Sequence, residues 1–127
     1  MKPIELHVAN FNATLAKPGI VLVDWWATWC GPCRAFAPIF EKAAAAHPDI
    51  VFGKVDTDHE QALAGQFGIQ SIPTLMLFRD GILLFAQPGV MPLPALEDLI
   101  RQAKALDMEQ VRREVAAQAK QTGTHGA

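Results

Sequence analysis

Seven consecutive residues, Ile20-Val21-Leu22-Val23-Asp24-Trp25-Trp26, restrict the fold more than any other part of this chain. A strand with one wet face alternates apolar and polar residues. This run does not alternate, so it reads as a strand covered on both faces. Covering both faces of a sheet takes a helical layer on each side. At 127 residues, half of them apolar, the chain can supply one such domain and its core. Asp24 is the single interruption of the run.

The flanking segments supply the helices. Residues 8–16 form a short helix with Phe11 and Leu15 on one face, stopped by Lys17-Pro18-Gly19. A second helix follows Pro32 and runs to about His47, with Ala37, Phe40 and Ala44 on one face. Pro38 lies inside it and should kink it. Ile50 to Asp56 is the next strand. Asp58 and Gln61 read as a capping box opening a helix through Phe67, ended by Gly68. TLMLF and ILLFAQ around Asp80-Gly81 read as an antiparallel hairpin. A last regular helix spans about Pro94 to Ala105, with Leu96, Leu99, Ile100 and Ala103 at helical spacing. The order βαβαβαββα gives a mixed sheet with helices on both faces.

Composition excludes several classes. The formal charge is −2, with no basic patch for nucleic acid or anionic lipid. No run reaches the apolar length of a membrane span. The start, MKPIELHVANF, lacks an apolar signal region, so the expected compartment is the cytoplasm. Thiols are kept reduced there, which favours catalytic or metal-binding roles for a close cysteine pair.

The chain has two cysteines, both in Cys30-Gly31-Pro32-Cys33, where the buried strand ends and a helix begins. A thiolate at a helix N-terminus is stabilised by free N–H groups and the dipole. In such motifs the thiol pKa can fall from about 8.5 to about 7, which raises the fraction able to attack a disulfide. The i, i+3 spacing sets a second sulfur beside the first, able to resolve a mixed disulfide. Pro32 fixes the first helical turn, and Gly31 lets backbone pass close to a substrate. Structural zinc needs four ligands, whereas His7, His47, His59 and His125 are scattered singly. Covalent haem needs His after the second cysteine, where Arg34 stands. A disulfide closing so small a loop would add little stability. Redox chemistry is the reading that remains.

VDWWATWCGPCRAFAP is similar to the active-site segment of the thioredoxin family. KVDTD (Lys54 to Asp58), FGIQSIPTLMLF (Phe67 to Phe78), RDG and PGV (Pro88 to Val90) also resemble that family at its spacing. The resemblance covers roughly residues 4–104. It implies a thioredoxin fold, with a central mixed five-stranded sheet flanked by helices. Cys30 is implied as the exposed nucleophile and Cys33 as the resolving thiol. Asp24 is implied as a buried carboxylate beneath Cys33 that exchanges its proton. Desolvation in an apolar strand raises a carboxyl pKa, which suits that task. Lys54 matches the lysine that tunes Asp24. Ile72-Pro73-Thr74 matches the cis-proline segment, which implies that Pro73 faces the cysteines and the Ile72 backbone pairs with an extended client. Trp29, Gly31, Pro32, Ile72, Gly89 and Val90 would form the apolar docking rim. Trp25 and Trp26 read as packing.

Three features depart from the family pattern. Met91-Pro92-Leu93-Pro94 opens the last helix without a polar cap residue. Pro88 stiffens the adjoining loop. The chain also continues beyond a domain ending at residue 106. Residues 107–122 form a helical extension, with Asp107 and Gln110 as cap and Met108, Val111, Val115 and Ala119 as a thin apolar stripe. That stripe is too weak to fold alone and needs a partner. Residues 123–127 read as a flexible tail.

The expected protein is a cytoplasmic, monomeric protein-disulfide reductase acting through Cys30 and Cys33. Its partners would be disulfide-containing clients and thioredoxin reductase. It would bind no cofactor or metal, and NADPH would be used only by that reductase. An oxidase or isomerase on the same fold is the rival enzyme, and Gly-Pro between the cysteines resembles the reducing members. A scaffold using the C-terminal helix is the rival outside catalysis.

Overall fold

The computed structural model describes residues 2–126, with side chains described through Lys120. In chain order it contains β1 (Ile4–Glu5), α1 (Val8–Leu15), β2 (Ile20–Trp26), α2 (Gly31–Ala46), β3 (Val51–Asp56), α3 (Gln61–Gln66), β4 (Thr74–Arg79), β5 (Ile82–Pro88), α4 (Leu93–Ala105) and α5 (Met108–Gly126). The five strands form one sheet in the order β1-β3-β2-β4-β5. β2 is central, parallel to β3 and antiparallel to β4.

The packing explains why β2 lacks polar alternation. Leu22 joins Phe36, Phe40, Phe52, Leu75, Leu77, Leu96 and Ile100 on one side of the sheet. Val21, Val23 and Trp25 join Leu6, Phe11, Val55, Leu63, Met76 and Phe78 on the other. Successive strand residues point to opposite faces, and both faces are core. Asp24 in the middle of β2 has no exposed surface.

α2 buries Cys33, Phe36, Phe40, Ala43 and Ala44 and is continuous across Pro38. The hairpin between β4 and β5 turns at Asp80 and Gly81, with φ of 54° and 80°. Two successive left-handed residues make the tight turn that matches strand twist.

Asp58 does not cap α3. The N-cap is Glu60, with no side-chain cap hydrogen bond, and Gln61 Nε2 donates to the Asp58 carbonyl at 3.2 Å. The Asp58 carboxylate has a different partner, described below.

α5 begins as expected. Asp107 Oδ1 accepts from the N–H groups of Glu109 (3.1 Å) and Gln110 (3.3 Å). Its first turn is fixed to the domain. Met108 is 7% exposed, and Arg79 Nη1 donates to the carbonyls of Ala103, Lys104 and Leu106 at 2.7, 3.3 and 3.1 Å. Arg112 adds a 3.5 Å contact to Asp80 Oδ2. Beyond it the expected stripe is not covered: Val111 is half-buried, but Val115 and Ala119 are exposed. The helix continues to Gly126, through most of the stretch expected as a tail, and Ala127 lies outside the described residues. A backbone ladder needs no side-chain partner, and a glycine such as Gly123 weakens a helix by about 1 kcal/mol without ending it. Among the described residues no helix is long and apolar enough to cross a membrane.

Candidate active site

The site lies at the C-terminal end of β2. Cys30 is the N-cap of α2, and Cys33 lies within its first turn. The two form a disulfide, with Cα atoms 5.2 Å apart. The Cys33 N–H donates to Cys30 Sγ at 3.2 Å, so one free donor of the helix N-terminus already points at the Cys30 sulfur. When that sulfur is reduced, the same donor and the helix dipole favour its thiolate. Pro32 sits in the first turn, where its missing N–H costs nothing.

Cys30 is less open than its expected role as the exposed thiol required. It is 4% exposed, against 3% for Cys33. Both sulfurs pack with Ala27, and Trp26 and Ile72 close over them. Cys30 Sγ lies 3.7 Å from the Ile72 carbonyl oxygen. The exposed surface belongs instead to residues expected to form the docking rim. Trp29 is 67% and Val90 41% exposed, and Gly31, Pro32 and Gly89 are open to solvent.

Ile72-Pro73 is a cis peptide. The Pro73 carbonyl accepts the Gly89 N–H at 2.8 Å, joining the segment before β4 to the loop after β5. This bond sets Gly89 beside Pro73, whose neighbour Ile72 packs against the cysteines. Gly89 has φ of 99°, which a residue with a Cβ adopts only with strain. Pro73 and Thr74 are buried, and the Thr74 hydroxyl donates to the Ser71 carbonyl at 2.6 Å. Thr74 is therefore occupied inside the segment rather than offered at the rim.

Asp24 lies in register with Lys54 on β3 and Leu75 on β4. Neither carboxylate oxygen has a hydrogen-bond partner among the described residues. Burial pushes its carboxyl up from 3.8 to about 7, against the opposing pull of the Lys54 charge. Lys54 is not a close ion-pair partner, because its Nζ stands 4.6 Å over the Trp26 ring. Trp26 is thus a platform for Lys54 as well as a wall against the cysteines. Trp25 points into the opposite core, against Phe11 and Phe67.

The end of β3 and the β3–α3 loop hold residues whose contacts sequence reasoning missed. Asp58 Oδ2 accepts the Trp29 Nε1–H at 3.0 Å. Thr57 donates to the Trp26 carbonyl through its N–H (2.9 Å) and hydroxyl (3.1 Å). Asp56 Oδ2 contacts His59 Nδ1 at 2.7 Å. Burial pushes the Asp56 carboxyl up, but hydrogen bonds from His59 and from the Asp58 and His59 backbone outweigh it and hold it low. The same bond to Asp56 raises the His59 pKa. The sequence signals here are the family-like KVDTD and an acidic run with the spacing of a helix cap, and neither names these partners.

A disulfide at a helix N-terminus, a cis-proline loop beside it and a buried carboxyl in the preceding strand together define a thiol–disulfide oxidoreductase. The sequence matches the family model for thioredoxin over residues 2–102. It is 54% identical to a putative thioredoxin 2 of Streptomyces coelicolor, over 94% of this chain and 90% of that protein. It is 44% identical to a thioredoxin of Alicyclobacillus acidocaldarius, over 74% of this chain and 90% of that protein. Among solved structures, a single-residue mutant of a thioredoxin from Halobacterium salinarum superposes with a TM-score of 0.77 at 34% identity, covering 84% of this chain and 94% of that one. The chain belongs to the thioredoxin family. Chemistry in this family runs through the active-site disulfide without a cofactor, between disulfide-containing substrates and a reductase.

Proposed function

We propose that this protein reduces disulfides in client proteins, with Cys30 as nucleophile, Cys33 as resolving thiol and Asp24 as proton acceptor. One observation carries the assignment of the two sulfurs. Cys30 is the helix cap and already receives the Cys33 N–H, so the stabilised thiolate belongs to Cys30. The Cys30 thiolate attacks a client disulfide; a mixed disulfide forms and one client thiolate leaves. Cys33 gives its proton to the Asp24 carboxylate and attacks Cys30. The second client thiolate leaves, and two electrons have passed from the cysteine pair to the client. A carboxyl with a pKa near 7 takes and returns a proton at neutral pH with little driving force either way.

Trp29, Gly31, Pro32, Ile72, Gly89 and Val90 form the apolar rim on which clients dock, and Pro73 and Thr74 hold the segment whose Ile72 backbone pairs with the client. Lys54 moderates the Asp24 pKa. Thioredoxin reductase restores the dithiol, and NADPH is consumed by that partner. The protein acts in the cytoplasm as a monomer. Cys33→Ser should leave Cys30 able to attack and trap clients as mixed disulfides. A proteome pull-down without trapped, thiol-releasable species would overturn the assignment.

A further inference from the structure

The rim tryptophan is held from one side by a chain of hydrogen bonds. Trp29 is two-thirds exposed, and the polar anchor of its indole is Asp58 Oδ2, at 3.0 Å. Asp58 lies in an exposed loop, where a carboxylate left alone samples several rotamers. Here its backbone is tied down, because its N–H donates to Asp56 Oδ1 at 3.0 Å. The other oxygen of Asp56 is held by His59 Nδ1 at 2.7 Å, and the Asp56 carbonyl accepts the Glu60 N–H at 2.8 Å. Asp56 is thus clamped between His59 and Asp58, and Asp58 passes that geometry to Trp29. His59 itself is 80% exposed at its side chain and touches neither the cysteines nor Asp24 in any described hydrogen bond or ion pair. Its role must act through Asp56.

We propose that His59 is a positioning residue for client docking: by fixing Asp56 it sets Asp58 and so the orientation of the Trp29 indole. This rests on the reading of Trp29 as part of the docking rim. In His59→Ala, Asp56 keeps the backbone N–H groups of residues 58 and 59 but loses the imidazole that fixes its second oxygen. The imidazole also lies within electrostatic reach of Asp56, Asp58 and Glu60, and that interaction is lost with it.

The test uses the prereduced full-length protein and oxidised insulin as the disulfide probe, in single-turnover mixing. It reads the half-saturating insulin concentration and the limiting rate separately. His59→Ala should raise half-saturation about two- to fivefold, the range of an exposed charged hydrogen bond, with the limiting rate unchanged. His59→Asn should restore it, because the Asn amide can donate from near the position of Nδ1. In a Trp29→Phe background, which lacks the indole N–H, His59→Ala should have no further effect. An unchanged half-saturation in His59→Ala, or an equal rise in the Trp29→Phe background, overturns the proposal. Trp29→Ala separates the two layers. If it too leaves half-saturation unchanged, the docking rim fails along with the proposal. If it raises half-saturation while His59→Ala does not, only the positioning role fails.

Discussion

Asp24 should make this protein less stable as pH rises, and Asp24→Asn should remove that loss. The carboxyl is fully buried, without a hydrogen-bond partner among the described residues, and its pKa rises from 3.8 to about 7 on folding. Between those values the folded state binds a proton that the unfolded state has released. The unfolded state therefore binds fewer protons, and stability falls with increasing pH. The loss begins above the unfolded value of 3.8, grows until the folded value near 7 is passed, and is constant beyond it. The gap is about three pH units, each worth about 1.4 kcal/mol, so the full loss is about 4 kcal/mol. Asn has nearly the shape of the protonated carboxyl and does not titrate. Urea denaturation of the oxidised protein and of Asp24→Asn should therefore differ by less than about 1 kcal/mol at pH 4. The variant should be the more stable by about 4 kcal/mol at pH 8. Other titrating groups are common to both chains and cancel. A difference independent of pH, or a variant less stable at pH 8, would show that Asp24 is solvated or paired in the folded state.

The same substitution should slow resolution of the mixed disulfide by about 10²-fold, the lower range for losing a positioned base, which quenched-flow trapping would read directly. Equilibration with glutathione should give the Cys30–Cys33 pair a reduction potential near the roughly −270 mV of thioredoxin; about −120 to −180 mV would mark an oxidant or isomerase instead. Gly53→Ala should cost about 1–3 kcal/mol, because the new Cβ would meet Leu6 Cδ1 and stand 2.8 Å from Cγ of that fully buried side chain. Pairing it with Leu6→Ala should give less than the sum of the two losses in thermal melts. Arg79→Ala should cost about 1–3 kcal/mol by freeing three carbonyls at the α4–α5 junction. Amide exchange in the first turn of α5 should then rise while that of β2 does not.

The sequence by itself determined the layered fold and the reacting atoms. The unalternating run at β2, the Asp80-Gly81 turn and the cysteine pair at a strand–helix junction are local patterns, and each maps onto one backbone geometry. The raised pKa of Asp24 was also legible, because burial in a strand covered on both faces desolvates a lone carboxylate. Tertiary structure decided whatever depends on a partner distant in the chain. Asp58 has the spacing of a helix cap, yet its carboxylate is taken by Trp29, twenty-nine residues earlier. A helix N-terminus is open in itself, which makes Cys30 read as exposed, but Ile72 packs against it from forty-two residues away. Register alone places Lys54 near Asp24, while the aromatic face of Trp26 decides where its charge sits. Spacing along a chain reports which residues share a face. Which groups finally pair is settled where the strands, loops and helix ends meet, by competition among donors and acceptors that no local pattern contains.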